Sequence, residues 1–210
     1  MKKQKLNKRQ IQAAETKMKI YETAKKLFEE HGIEKVSVDS IVEAVGISKG
    51  GFYVHFESKD ILASLIISDF VNEVDSEYKE YMNSIKEEVS SYDLLILMVG
   101  KIGEVIDNKL GCDNMKVLYK AHITKTIDTE SSISYNRDVY QIFIYIISRG
   151  ISSGEFITDV TVEDLAHHFV LAMRGIIFEW CIRYPDFNLS EEFKKHFKIL
   201  LNGIKKNASC

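Results

Sequence analysis

The sequence predicts an all-α protein, in which an N-terminal three-helix unit is joined by a long helix to a larger helical region. Three observations carry this. A lone proline, Pro185, stands in 210 residues. Apolar residues recur at helical spacing over most of the chain. Start and stop signals alternate, with Ser37, Ser48 and Ser58 as caps and Gly32 and Gly46 as stops.

The first helix starts at Asn7 or at Ala13 and runs to Glu30, with Ile20, Ala24, Leu27 and Phe28 on one side and His31 and Gly32 ending it. Ser37 then caps "VDSIVEAV", whose apolar side is Val38, Ile41, Val42 and Val45. Gly46 closes it where a left-handed residue makes a tight turn. Ser48 caps a third helix and Ser58, before "KDI", a fourth. The fourth carries Ile61, Leu62, Leu65, Ile66, Val71, Val74, Tyr78 and Tyr81, with no Gly or Pro before about Ser90. Further helices are expected at about 92–109, 114–127, 134–153, 161–183 and 190–206, separated by "NKLGCDN", "DTESS", "SSGEFITD" and "RYPDFNLS". The chain divides into residues 1–60, a basic arm with the small helical unit, and residues 61–210, the larger region.

Composition sets the class. Hydrophobic residues at 45% and charged ones at 28% fit a soluble globular protein. "MKKQKLNKRQ" has no apolar run behind it, and "LLILMV" is too short to span a bilayer, so a cytoplasmic protein with no membrane partner is expected. Cys112, Cys181 and Cys210 are odd in number and widely spaced, which fits neither a disulfide framework nor a CxxC metal site, and they read as reduced and structural.

The net charge of -3 is unevenly placed: residues 1–59 hold 12 Lys and Arg against 8 Asp and Glu, and the remainder is acidic. Seven basic groups and one acid fall in the first 19 residues, either a solubilising arm or one that meets an anionic partner. "SVDSIVEAVGISKGGFYVHF" reads as helix, tight turn, helix, the geometry that lays its second helix in the DNA major groove. Ile41, Ala44 or Val45, Ile47, Phe52 and Phe56 would fix the angle between the helices. Gly50 and Gly51 each cost helix stability, and bare backbone at this end of the helix lets it approach bases and phosphates closely. The Ser37 and Tyr53 hydroxyls, His55, and Lys59 at the start of the fourth helix suit phosphates. Lys49 is the candidate for reading guanine, and Ser48 touches either a base or a phosphate.

The run "KVSVDSIVEAVGISKGGFYVHFESKDIL", residues 35–62, resembles the DNA-binding signature of the TetR family of bacterial transcriptional regulators. The capped helix, the Gly-Ile-Ser turn, the Lys-Gly recognition helix, the Tyr-x-His-Phe segment and the lysine opening the fourth helix recur in that order. The likeness is strong over about residues 12–65 and looser over "SSGEFITDVTVEDLAHHFVLAMRGIIFEW", residues 152–180. It implies an all-helical homodimer with a C-terminal ligand-binding and dimerisation domain, and a repressor released from its operator by a small molecule. Two positions depart from the family pattern: Val42, where alanine is usual, and Gly51, where Thr, Ser or Ala is usual. The second removes a possible base contact.

In the C-terminal region "VYQIFIYIISRGI" and "LAHHFVLAMRGIIFEWCI" are apolar over more than one stripe, as helices facing both their own core and a second subunit are. The resemblance places the dimer interface on the last long helices, with Gly175 allowing close approach. Met98, Met115, Tyr119, His122, Phe143, Phe169 and Met173 are candidates for an effector pocket suited to an apolar or aromatic molecule, with His122 or Arg174 as polar anchors. His167, His168 and Glu163 make a weak metal pattern, and no metal or cofactor is expected. No GxSxG, P-loop, HExxH or strand-borne GxGxxG occurs, so an enzyme is not expected. Two other readings remain open: a DNA-bound protein of the same fold that docks a protein partner and has no effector pocket, and a helical small-molecule enzyme or carrier.

Overall fold

Ten α-helices make up nearly all the regular structure of residues 8–205, the part of the chain that the computed structural model describes. Among these residues the only β pairing is an isolated antiparallel bridge between Phe156 and Lys205. The basic residues Lys2, Lys3 and Lys5 of the N-terminal arm, and Cys210, lie outside the described residues.

Two units divide the chain. The first runs to Asp69 and includes Lys120–Thr129; the second holds Phe70–Tyr119 and everything from Glu130 on. The sequence reading drew a single boundary at 60/61. It had no means of assigning Lys120–Thr129, whose partners lie far away in the chain.

In the first unit, α1 (Lys8–His31) buries Ile20, Ala24 and Phe28. The extension back to Lys8 favours the earlier of the two predicted starts. Helix α2 (Val38–Val45) begins in a reciprocal cap, the Ser37 hydroxyl accepting from Ser40 N while Ser40 Oγ accepts from Ser37 N, both at 3.0 Å. It ends at Gly46, whose φ of 78° a side chain would strain. Helix α3 (Lys49–Tyr53) follows at once, capped by Ser48, whose hydroxyl accepts from Gly51 N at 3.1 Å. Helix α4 (Lys59–Ser84) supplies Leu62 and Ala63 to the same core, which also holds Ile41, Val42, Val45, Phe52 and Phe56. Lys120 pairs with Glu34 at 2.8 Å and Ile127 packs on that core, which is why their segment belongs here.

The second unit is built on the remainder of α4, with α5 (Ser91–Val105), α6 (Gly111–Thr124), α7 (Glu130–Ile133), α8 (Asp138–Ser152), α9 (Val162–Arg183) and α10 (Leu189–Asn202). Helix α4 ends at Ser84, and Ser90 is the cap of α5. The predicted break at "NKLGCDN" is a five-residue π-helical turn, Ile106–Leu110, between α5 and α6. Helices α5 and α10 pack so closely that a Cβ on Gly103 would lie 2.6 Å from Ser190 Cα, and Ser190 Oγ donates to the Gly100 carbonyl at 2.8 Å. Phe143, Phe169, Phe193 and Phe197 pack ring against ring through this core, Phe143 stacked on Phe197 and the other pairs edge-on.

Two polar devices fix the helix ends. Arg137, capping α8, grips the buried Asp75 carboxylate through Nε at 3.2 Å and Nη2 at 2.6 Å. Glu155 accepts from Ser91 N at 3.1 Å and Tyr92 N at 3.2 Å, at the positive end of α5. Helix α9 is the most apolar of the long helices. Although no uninterrupted apolar run is long enough, the helix as a whole has the length and composition to cross a membrane. Eight of its residues instead face the core, among them Phe169, Met173 and Trp180.

Candidate nucleic-acid interface

The geometry of the first unit follows from a short list of apolar anchors. Ile41 and Val45 on α2 and Phe52 on α3 are buried side by side, and the Phe52 ring lies 5.9 Å from that of Phe56 and edge-on to Tyr53 at 5.4 Å. Anchored on that side, α3 turns its other side outward: Ser48, Lys49 and Gly50 are exposed, Tyr53 is half exposed and Val54 is 79% exposed.

The double glycine has no internal cause. Neither residue has a positive φ, and a Cβ on Gly50 would approach nothing closer than Ser48 Oγ at 3.9 Å. One on Gly51 would meet Ser48 Oγ at 3.5 Å and Ile47 Cβ at 3.7 Å, ordinary contact distances. The fold accepts alanine at both places.

The predicted polar contacts fall into two groups. Ser37 and Ser48 use their oxygens as helix caps, and Ser48 keeps its O–H to donate outward. Tyr53 is half exposed, and His55 is partly buried, its backbone N–H bound to the Phe52 carbonyl at 2.9 Å. Lys49 pairs with Asp39 at 2.9 Å, and that hydrogen bond and charge hold its ammonium above the ordinary lysine value. Both side chains are more than half exposed, so the pair is weak and easily exchanged for another acceptor. Lys59 is differently placed: its ammonium donates to the carbonyls of Ile33 at 2.8 Å and Val36 at 2.9 Å. Two of its three donors thus tie the α1–α2 connection to the start of α4.

Several participants were not read from the sequence. Lys19 Nζ donates to the Val45 carbonyl at 2.8 Å, at the turn itself, and Lys17 sits 5.5 Å above the Phe56 ring. Asp39 and Val54 are the other two. A helical wheel of α1 places Lys19 beside Ile20, but nothing local shows which carbonyl it reaches.

The pocket candidates separate. Met98, Met115, Phe143, Phe169 and Met173 are buried together in the second unit's core. Tyr119 donates to the Arg174 carbonyl at 2.8 Å, while the Arg174 guanidinium donates to the Ile133 carbonyl at 2.6 Å and lies over Tyr135. His122 falls in the first unit, 2.6 Å from the Thr129 hydroxyl. His167 bonds Tyr135 at 2.6 Å, and among the described residues no group of three His, Cys, Asp or Glu is arranged to hold a metal ion.

Comparison with known proteins agrees with this geometry. Residues 20–65 match the family described as bacterial regulatory proteins, tetR family. Over 188 residues, 88% of this chain and 89% of the other, the sequence is 23% identical to the HTH-type transcriptional repressor KstR2 of Rhodococcus jostii. The fold is similar to FadR of Bacillus subtilis, solved with stearoyl-CoA, at 18% identity and a TM-score of 0.66 over 89% of this chain and 98% of that one. It is also similar to a regulator from Saccharomonospora viridis solved with choline, at 18% identity and a TM-score of 0.70 over 92% of this chain and 100% of that one. A helix-turn-helix whose second helix is held bare and outward by a small core defines a DNA-binding transcriptional regulator rather than an enzyme. Within that class, residues 20–65 match the DNA-binding domain of the tetR family.

Proposed function

We propose that this protein is a cytoplasmic repressor that binds a near-palindromic operator as a homodimer and is released by a small apolar or aromatic molecule. The observation that carries the DNA reading is the pair Gly50–Gly51 on α3, the first exposed and the second partly so, and neither required by anything inside the fold. Lys49, freed from Asp39, reads guanine; Val54 offers an apolar contact to a thymine methyl; Ser48 and Tyr53 hold phosphates.

An exposed stripe on α9 supports the homodimer. Leu171, Phe178 and Ile182 are 48%, 47% and 62% exposed, with Ile199 of α10 at 70%, and no atom lies within 4 Å of a Cβ placed on Gly175. A self-complementary patch of this kind produces two-fold symmetry, which an operator with two half-sites mirrors. The effector reading rests on the apolar cluster around Met98, Phe143, Phe169 and Met173, and the acyl chain of stearoyl-CoA in the FadR complex is a ligand of that chemistry. These side chains are packed together, so a ligand enters only by stabilising a rearranged state, and it must bind that state better than the DNA-binding one.

Fluorescence anisotropy on DNA from upstream of the protein's own gene, beside a scrambled duplex at two salt concentrations, tests this. A preference of about 10³-fold or more supports the repressor reading, and release on adding stearoyl-CoA or another long-chain acyl ligand supports the effector class. Equal and strongly salt-dependent binding to both duplexes counts against it. The full burial of Met98 and Phe143 favours one alternative, a DNA-bound protein whose exposed α9 stripe docks a different protein. A purified chain that stays monomeric at high concentration is that reading's signature.

A further inference from the structure

Helices α6 and α9 meet within the second unit at Tyr119. Tyr119 on α6 donates to the Arg174 carbonyl of α9 at 2.8 Å and sets its ring edge-on to Phe178, with 5.7 Å between centroids. Two turns back along α6 from Tyr119 is Cys112, and two turns on along α9 from Arg174 is Cys181. Each cysteine thus lies seven residues, about 10 Å along its helix, from this contact. Both cysteines are free thiols, 5% and 7% exposed, in one core cluster with Met115 between Cys112 and Tyr119.

The thiols act on each other there. Burial pushes the Cys181 thiol up to about 11, and the charge and hydrogen bonding of Cys112 add to this. The ammonium of Lys116, one turn along α6 with a half-exposed side chain, is held above its ordinary value chiefly by Cys112. That ammonium interacts chiefly with Cys112 and is the smallest of the influences on Cys181.

We propose that Cys112 and Cys181 form a dithiol–disulfide site, through which oxidants of the peroxide class covalently join α6 to α9. The Cys112 sulfur attacks one oxygen of hydrogen peroxide, the O–O bond breaks, and Cys112 becomes a sulfenic acid with release of one water. The Cys181 sulfur then attacks the Cys112 sulfur, the S–O bond breaks, and hydroxide leaves with the thiol proton as a second water. Two thiols and one peroxide become one disulfide and two waters. Burial holds Cys181 protonated, so Cys112 is the sulfur that is oxidised first and Cys181 is the resolving one.

The test uses the full chain carrying Cys210→Ser, so that two thiols remain, treated with a small excess of hydrogen peroxide. The expected result is a monomer lighter by about 2 Da for the two hydrogens lost, no thiol titratable after denaturation, a peptide map linking Cys112 to Cys181, and full reversal by dithiothreitol. Closing so long a loop also raises the thermal midpoint by several degrees. With Cys181→Ser added, Cys112 stops at a sulfenic acid that dimedone captures; with Cys112→Ser added, Cys181 stays unlabelled. Two titratable thiols after peroxide, links only between chains, or equal labelling of Cys181 in the Cys112→Ser variant overturns the proposal. None of these readouts involves DNA, so they stand or fall apart from the repressor reading.

Discussion

At the scale of single residues, the recognition surface is defined as much by what is missing as by what is present. Gly51→Ala fills space that the fold leaves open, and removing a glycine from a helix is worth about 0.4–1 kcal/mol of stability. The variant is expected to melt at the same temperature as the parent or slightly above it, while its affinity for cognate DNA falls; calorimetry and anisotropy on the same preparation check both halves. Lys59 makes the opposite case. Its ammonium holds the Ile33 and Val36 carbonyls, 26 and 23 residues away in sequence, and hydrogen bonds to a charged group are worth about 1.5–3 kcal/mol. Lys59→Met is therefore expected to lower the urea midpoint of the protein, with loss of DNA binding following loss of folding. Sequence reasoning found Lys59 but gave it a phosphate to hold. A cation at the start of a helix looks aimed at an anion until the fold shows two carbonyls already there.

Among the secondary-structure elements, the parts legible in advance were those with local causes. Ser37, Ser48 and Ser58 cap their helices by bonds to residues three positions on, and Gly46 turns because only glycine takes that backbone conformation cheaply. The π-helical turn at Ile106–Leu110 and the four-residue α7 were not legible: "IDNKL" and "ESSI" have no period or cap of their own, and tertiary packing shapes both. Nor was the seat of Glu155. Burial pushes its carboxyl up, but the bonds from Ser91 N, Tyr92 N and Ser153 outweigh this and hold it below the ordinary 4.5. The folded state thus resists protonation more than the unfolded chain does. The stability this confers is fully present above the ordinary value and is lost as pH falls through the depressed one. Glu155→Gln is expected to lower the thermal midpoint near pH 7, with the gap to the parent closing below about pH 4. Melting curves across that range decide it.

For the molecule as a whole, charge and apolar pattern were enough to separate a basic DNA-binding part from a larger acidic one. They could not show that Lys120–Thr129 belongs with the first part, because Ile127 and Lys120 find their partners across long loops. The exposed stripe on α9 and α10 belongs to this scale too. Ile182→Glu places a charge at a position 62% exposed in the single chain, so folding tolerates it and self-association does not. Sedimentation is expected to show a monomer, with binding to a two-half-site operator weakened by at least tenfold and far less change on a single half-site. The last consequence lies in the length of α3. Five residues cannot persist as a helix in water unaided, and this one exists because Phe52 and Phe56 fasten it to the first unit's core. Its amide hydrogens are accordingly expected to exchange with solvent together, at the pace at which that core opens, rather than fraying one by one from an end. The stretch that reads DNA has no melting temperature of its own, and sequence recognition ends where the smaller core does.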